Sequence, residues 1–140
     1  MHEYNGIICE NFLDCLEYVR DKREFTVCCR FTSDYDYEYL FKLIFELGNI
    51  TLLLEEAEIY ISPGSTSSNF LDLVRYGRHK NIEILGIARR ASELSINFRA
   101  QVNKIYSFKQ TELRDMEILE KLGFTNLNKL AEHEYSEINL

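Results

Sequence analysis

The chain has 140 residues, 46% of them apolar and 13% aromatic, which suits one compact globular domain with a real core and excludes a disordered chain. A net charge of −7 excludes a generally basic nucleic-acid coat, so any DNA contact must come from a local patch. No apolar run reaches the roughly 18 residues that a bilayer span needs, and MHEYNGIICENF lacks the basic start and apolar stretch of a signal peptide. The expected location is the cytoplasm, with no membrane partner.

Read in chain order, short β-like runs alternate with helical ones. GIIC (Gly6 to Cys9) is an apolar run, and Asn11 can cap a helix whose Phe12, Cys15, Leu16 and Val19 share one face. FTVCCRF (Phe25 to Phe31) is β-branched and aromatic and predicts a strand. Ser33 or Asp34 caps the next helix, striped by Tyr37, Leu40, Phe41 and Ile44 and ended by Gly48. Ile50 to Leu54 is apolar on both faces, as expected of a central parallel strand covered on each side. SPGSTSSN (Ser62 to Asn69) is a loop, followed by a helix from about Ser68 to His79. IEILGIA (Ile82 to Ala88) and NKIYSF (Asn103 to Phe108) predict strands. Glu112 to Leu122 reads as a helix closed by Gly123, and Thr125 caps a last helix carrying Leu127, Leu130 and Ala131. The tail EYSEINL has no pattern that places it.

Such alternation indicates βαβ units, hence a single α/β domain over residues 1–140 with a mainly parallel sheet and helices on both faces. Ile50 to Leu54 and Ile82 to Ile87 are expected to be adjacent central strands. Cys9, Cys15, Cys28 and Cys29 lack CxxC spacing and are read as reduced, mostly buried thiols. Cys28 and Cys29, adjacent in one strand, should face opposite ways. His2, His79 and His133 are too scattered for metal ligation.

The segment ITLLLEEAEIY (Ile50 to Tyr60) runs an aliphatic strand into two adjacent acids. That pattern suits either a core strand meeting a solvated turn or a metal-and-water site at the carboxyl end of a strand, where open α/β sheets hold ligands. Arg75 and Arg78 in RYGRHK share a flank of the helix opposite Phe70, Leu73 and Val74. A solvated basic face, an arginine offered in trans to a partner's nucleotide and a contact to nucleic-acid phosphates all fit that placement. SDYDYEYLF (Ser33 to Phe41) interleaves Tyr35, Tyr37 and Tyr39 with acids that would repel phosphates, so these rings are read as core and rim of a helix rather than a base-stacking platform.

Four pieces occur in order: LLLEEAE (Leu52 to Glu58), RYGRH (Arg75 to His79), GIARRASE (Gly86 to Glu93) and KIYSFKQTELRD (Lys104 to Asp115). In order and spacing they resemble the carboxyl half of the HerA/FtsK-type P-loop ATPases, including phage and conjugation ATPases, over Ile50 to Gly123. The resemblance implies a RecA-like sheet, a Walker B strand with Glu55 on the metal side and Glu56 as the water-orienting acid, and Arg89 at the sensor position. It also implies that Arg90 matches the arginine after the sensor, and that Arg75, Arg78 and Arg90 can contact a neighbouring subunit's nucleotide or phosphate in trans. The implied partners are further copies of the chain or an ATPase subunit, with DNA only weakly supported.

The sequence departs from that family in three ways. None of Gly6, Gly48, Gly64, Gly77, Gly86 and Gly123 begins the phosphate cradle GxxxxGK[ST]. Glu55 replaces the family's Asp, moving the carboxylate by about an ångström, a displacement that can cost roughly a hundredfold in rate. Arg89 replaces the sensor Gln, and a guanidinium cannot accept a hydrogen bond; it is expected to pair with Glu55 or Glu56 instead. The expectation is a truncated or degenerate ATPase-like domain that binds no cofactor alone, and takes ATP and Mg only if a phosphate loop upstream or on another chain completes it.

Overall fold

The computed structural model describes residues 6–64 and 67–140; Ser65 and Thr66 of the loop, together with the first five residues and His2 among them, lie outside it. Six strands and five α-helices alternate: β1 (Ile7–Cys9), α1 (Phe12–Val19), β2 (Val27–Cys29), α2 (Asp34–Leu47), β3 (Ile50–Leu54), α3 (Ser68–Tyr76), β4 (Ile82–Gly86), α4 (Ile96–Arg99), β5 (Lys104–Phe108), α5 (Leu113–Lys121) and β6 (Tyr135–Asn139). The helix starts follow local chemistry. Asn11 accepts from the amide of Asp14 at 2.9 Å and Ser67 from that of Phe70 at 3.1 Å, each quieting an orphan donor of a first turn. Gly48 ends α2 at φ 64°, a left-handed conformation that favours glycine.

Parallel ladders join β1 to β2 and β3 to β4, the latter in the register Ile50↔Ile82 to Leu54↔Gly86. The inner face of β3 and β4 (Ile50, Leu52, Leu54, Ile82 and Ile84) packs into a core with Phe41, Phe70 and Leu73. Phe41 and Phe70 meet edge to face at 5.1 Å and are essentially buried, each stabilising by roughly 1.5–3 kcal/mol. A second cluster forms where Leu119, Phe124 and Leu127 pack with Ile105 and Ile138.

Four expectations need correction. The sheet is not mainly parallel throughout, because the tail forms β6 and pairs antiparallel with β5. The segment from Thr125 makes only a 3₁₀ turn, Leu127–Lys129; two of its apolar side chains already reach the second cluster, and the chain turns back toward β6. The helix predicted to His79 ends at Tyr76 and tightens into a 3₁₀ turn, Gly77–Lys80. Finally, β3 and β4 are adjacent but neither is covered on both faces nor central: each makes one ladder among the described residues. Leu53, Leu85 and Ile87 are 48%, 47% and 55% exposed on the outer face. An apolar run implies cover on both faces, as parallel strands usually have, but here only the inner face is packed over. No helix among the described residues is long and apolar enough to cross a membrane.

Candidate functional site

The carboxyl ends of β3 and β4 are fastened together by backbone bonds that outlast the ladder. The amide of Ile87 donates to the carbonyl of Leu54 at 2.9 Å, and that of Ala57 to the carbonyl of Ile87 at 2.8 Å. This closes the Glu55–Glu56 turn against the segment leaving β4. Gly86 permits the approach, since a Cβ there would stand 3.3 Å from both the Ala57 methyl and the Phe98 ring. Glu56 takes φ 50°, ψ 54°, a left-handed conformation in a residue with a Cβ, costing roughly 1–2 kcal/mol. A 3₁₀ turn, Ala57–Ile59, follows, and the amide of Ser95 then donates to Ile61 at 2.7 Å.

Glu55 and Glu56 are exposed at the head of this turn, whereas Glu58 is buried. Arg89 pairs with Glu58, not with Glu55 or Glu56: its Nε donates to Glu58 Oε1 at 3.1 Å. The expected partners are corrected for a geometrical reason. The left-handed kink at Glu56 and the 3₁₀ turn carry Glu58 back beneath the segment after β4. The hydrogen bond to Glu58, and next the charge of Glu56, push the Arg89 guanidinium above its already high ordinary value. The guanidinium itself is mostly in solvent, so the pair contributes little to stability. Glu58 Oε2 is buried without a hydrogen-bond partner among the described residues, an unmet acceptor. Glu58 was missed by the sequence reading, although the third acid of LLLEEAE was its available signal.

Arg90 points the other way. Its Nε donates to Asp115 Oδ2 at 3.0 Å and its Nη2 reaches Glu112 Oε2 at 3.1 Å, while the amide of Ser92 donates to Asp115 Oδ1 at 2.8 Å. Burial pushes the Asp115 carboxyl up, but the bonds from Ser92 and then Arg90 outweigh it and hold it below the usual carboxylate range. Arg90 thus binds α5 to the turn after β4.

Arg75 lies in the last turn of α3 and Arg78 in the 3₁₀ turn that leads into β4. Both are exposed and make no ion pair among the described residues, whereas Lys80 is drawn 4.5 Å over the Phe45 ring. They stand at the amino end of β4, a strand length from the acidic turn, about 16 Å at ~3.3 Å per residue. The structure therefore brings Glu55, Glu56 and Arg89 to one end of the ladder and Arg75 and Arg78 to the other. In the aromatic stretch, Tyr37 is half-buried against Phe31 and Tyr60, and its hydroxyl accepts from the amide of Phe31 at 3.0 Å, while Tyr35 and Tyr39 are exposed.

Among the described residues no three His, Cys, Asp or Glu converge to hold a metal ion. A magnesium held by one carboxylate, waters and nucleotide phosphates needs no such group, and exposed Glu55 fits that limited role.

No protein-family model matches the chain, and no characterised protein sequence does so significantly. Solved structures do resemble it. The genome packaging NTPase B204 from Sulfolobus turreted icosahedral virus 2, in complex with ATP-gammaS, superposes with a TM-score of 0.76 at 12% identity, covering 96% of this chain and 77% of that one. The same NTPase with AMP gives 0.73 at 14% identity, over 96% and 68%. The DNA-packaging ATPase B204 from Sulfolobus Turreted Icosahedral Virus gives 0.70 at 16% identity, over 95% and 76%. The chain has the α/β fold of these viral genome-packaging NTPases.

Proposed function

We propose that residues 1–140 are a degenerate HerA/FtsK-like ATPase domain, without independent ATP hydrolysis, acting as a binding or regulatory module or as part of a DNA translocation or packaging machine. The observation that carries this reading is the Arg89–Glu58 ion pair at the carboxyl ends of β3 and β4. Where the resemblance calls for a glutamine that orients water, a guanidinium that can only donate is tied to a buried acid. The absence of GxxxxGK[ST] from the sequence supports it, since amides and lysine of that loop supply most of the phosphate neutralisation.

In this reading the RecA-like sheet is degenerate and ITLLLEEAEIY is a Walker B strand by descent. Glu55 would hold magnesium through its waters and Glu56 would orient the attacking water only where a phosphate loop is supplied. Arg75 and Arg78 reach a neighbouring subunit's nucleotide, or DNA phosphates, in trans; their distance from the acidic turn suits that role better than one in cis. Arg90 can join them only by leaving Asp115 and Glu112. The partner is another copy or an ATPase subunit. Calorimetric titration with ATP·Mg tests the reading: binding weaker than micromolar supports it. Micromolar binding abolished by Glu56→Gln or Arg89→Ala overturns it.

A second reading, an active ATPase completed by a phosphate loop upstream or on another chain, is favoured by the bare outer face of β3 and β4. Leu53, Leu85 and Ile87 are exposed there, beside a β4 edge that has no ladder partner among the described residues. An in-frame GxxxxGK[ST] in the DNA immediately upstream would favour it over the first.

A further inference from the structure

Three of the four cysteines gather at one place, and the ATPase reading uses none of them. Cys15 is 3% exposed on the inner face of α1, Cys9 is 2% exposed at the end of β1, and Cys29 ends β2 as the ladder partner of Cys9. The Cys29 thiol donates to Cys15 Sγ across 3.9 Å, joining residues 14 apart in sequence. Closing that gap to a disulfide bond length of about 2.05 Å needs movement of under about 2 Å, within reach of side-chain rotation. Cys28, the neighbour of Cys29, points to the other face of its strand.

We propose that Cys15 and Cys29 are an oxidisable dithiol that closes to a disulfide stapling α1 to β2. The hydrogen bond from Cys29 lowers the Cys15 thiol below its ordinary value, while Cys29, as donor, is pushed up. Cys15 is thus the nucleophile and Cys29 the resolving thiol. With hydrogen peroxide as oxidant, Cys15 thiolate attacks one oxygen and the O–O bond breaks. This leaves a sulfenic acid on Cys15, and hydroxide that takes up the proton Cys15 released on ionising and departs as water. Cys29 sulfur then attacks Cys15 sulfur and the S–O bond breaks. The oxygen leaves as a second water that takes the Cys29 proton. Two thiols lose two electrons and peroxide gains them.

The test is peroxide titration of the reduced, folded chain, followed by mass spectrometry without reductant. Cleavage after Glu10 and Glu17 separates Cys9 from Cys15. The expected product is two hydrogens lighter, cross-linked between the Asn11–Glu17 fragment and Cys29, and it melts higher by roughly 5 °C or more, as closure of such a loop predicts. Cys28→Ser and Cys9→Ser keep the cross-link, while Cys15→Ser and Cys29→Ser lose it. A cross-link to Cys9 or Cys28, a sulfinic acid on Cys15 without cross-link, or an unchanged mass would overturn the proposal. The mapping on the unmodified chain decides even where a variant fails to fold.

Discussion

Two adjacent arginines leave β4 and meet opposite fates. Arg90 lies in a satisfied joint, where Asp115 is 1% exposed and both of its oxygens are bonded. Arg89 lies over an unfinished one, where Glu58 is buried with one oxygen bonded and the other orphaned, beside a strained Glu56. A closed network holds a fold together, whereas an open one keeps unmet hydrogen-bonding capacity and backbone strain where a ligand could answer them. The structural joint of this chain and its candidate site are therefore one residue apart.

The largest effect expected from breaking this contrast is Asp115→Ala. It strands the Ser92 amide and frees Arg90, costing about 2–3 kcal/mol, and thermal unfolding should fall by several degrees. Asp115→Asn should lose less, because its amide oxygen can still accept one of these bonds. The pH dependence carries the same sign. A carboxyl held below its usual value of about 3.9 stabilises fully above that pH and loses the contribution as pH falls through its lowered folded value. Asp115→Asn should therefore flatten the acid limb of stability measured below about pH 4. Arg89→Ala comes next. It leaves Glu58 buried and unpaired, so melting should drop more than in Glu58→Gln, which removes the charge as well; equal drops would show that the pair is not buried enough to matter. The smallest effect is Glu56→Gly, which relieves the left-handed strain and should stabilise by up to about 1 kcal/mol in denaturant titration.

The alternation of strands and helices, the Asn11 and Gly48 caps and the β3–β4 pairing were legible in the sequence, because period, capping chemistry and turn residues act locally. The tail was not. Tyr135 and Ile138 become a strand only because β5 offers an edge and Leu119 and Phe124 a surface, and neither is visible within EYSEINL. The exposure of Leu53 and Leu85 was equally hidden, since an apolar strand reads the same with or without a layer over it. Glu55, Glu56 and Arg89 lie just past the carboxyl ends of β3 and β4, a placement legible in the sequence because each follows its apolar run directly. Their pairing was not, because it turns on the φ of Glu56, which no side-chain pattern announces. Asp115 was part of a quoted motif, but its burial against Arg90 needed the α5 docking geometry.

The central claim is that the acidic turn cannot hydrolyse ATP as the chain stands. It is tested most directly by phosphate release from ATP·Mg under saturating nucleotide, comparing the unmodified chain with Glu56→Gln and Arg89→Ala. On the proposed reading the chain has no phosphate-loop motif, a lengthened acid at Glu55 and an arginine, Arg89, where a glutamine is called for, so several contributors are absent together. Each alone typically supplies a few kcal/mol of transition-state stabilisation, though such losses need not sum. All three proteins should release phosphate at the background rate. Turnover by the unmodified chain that disappears in both variants would contradict the account.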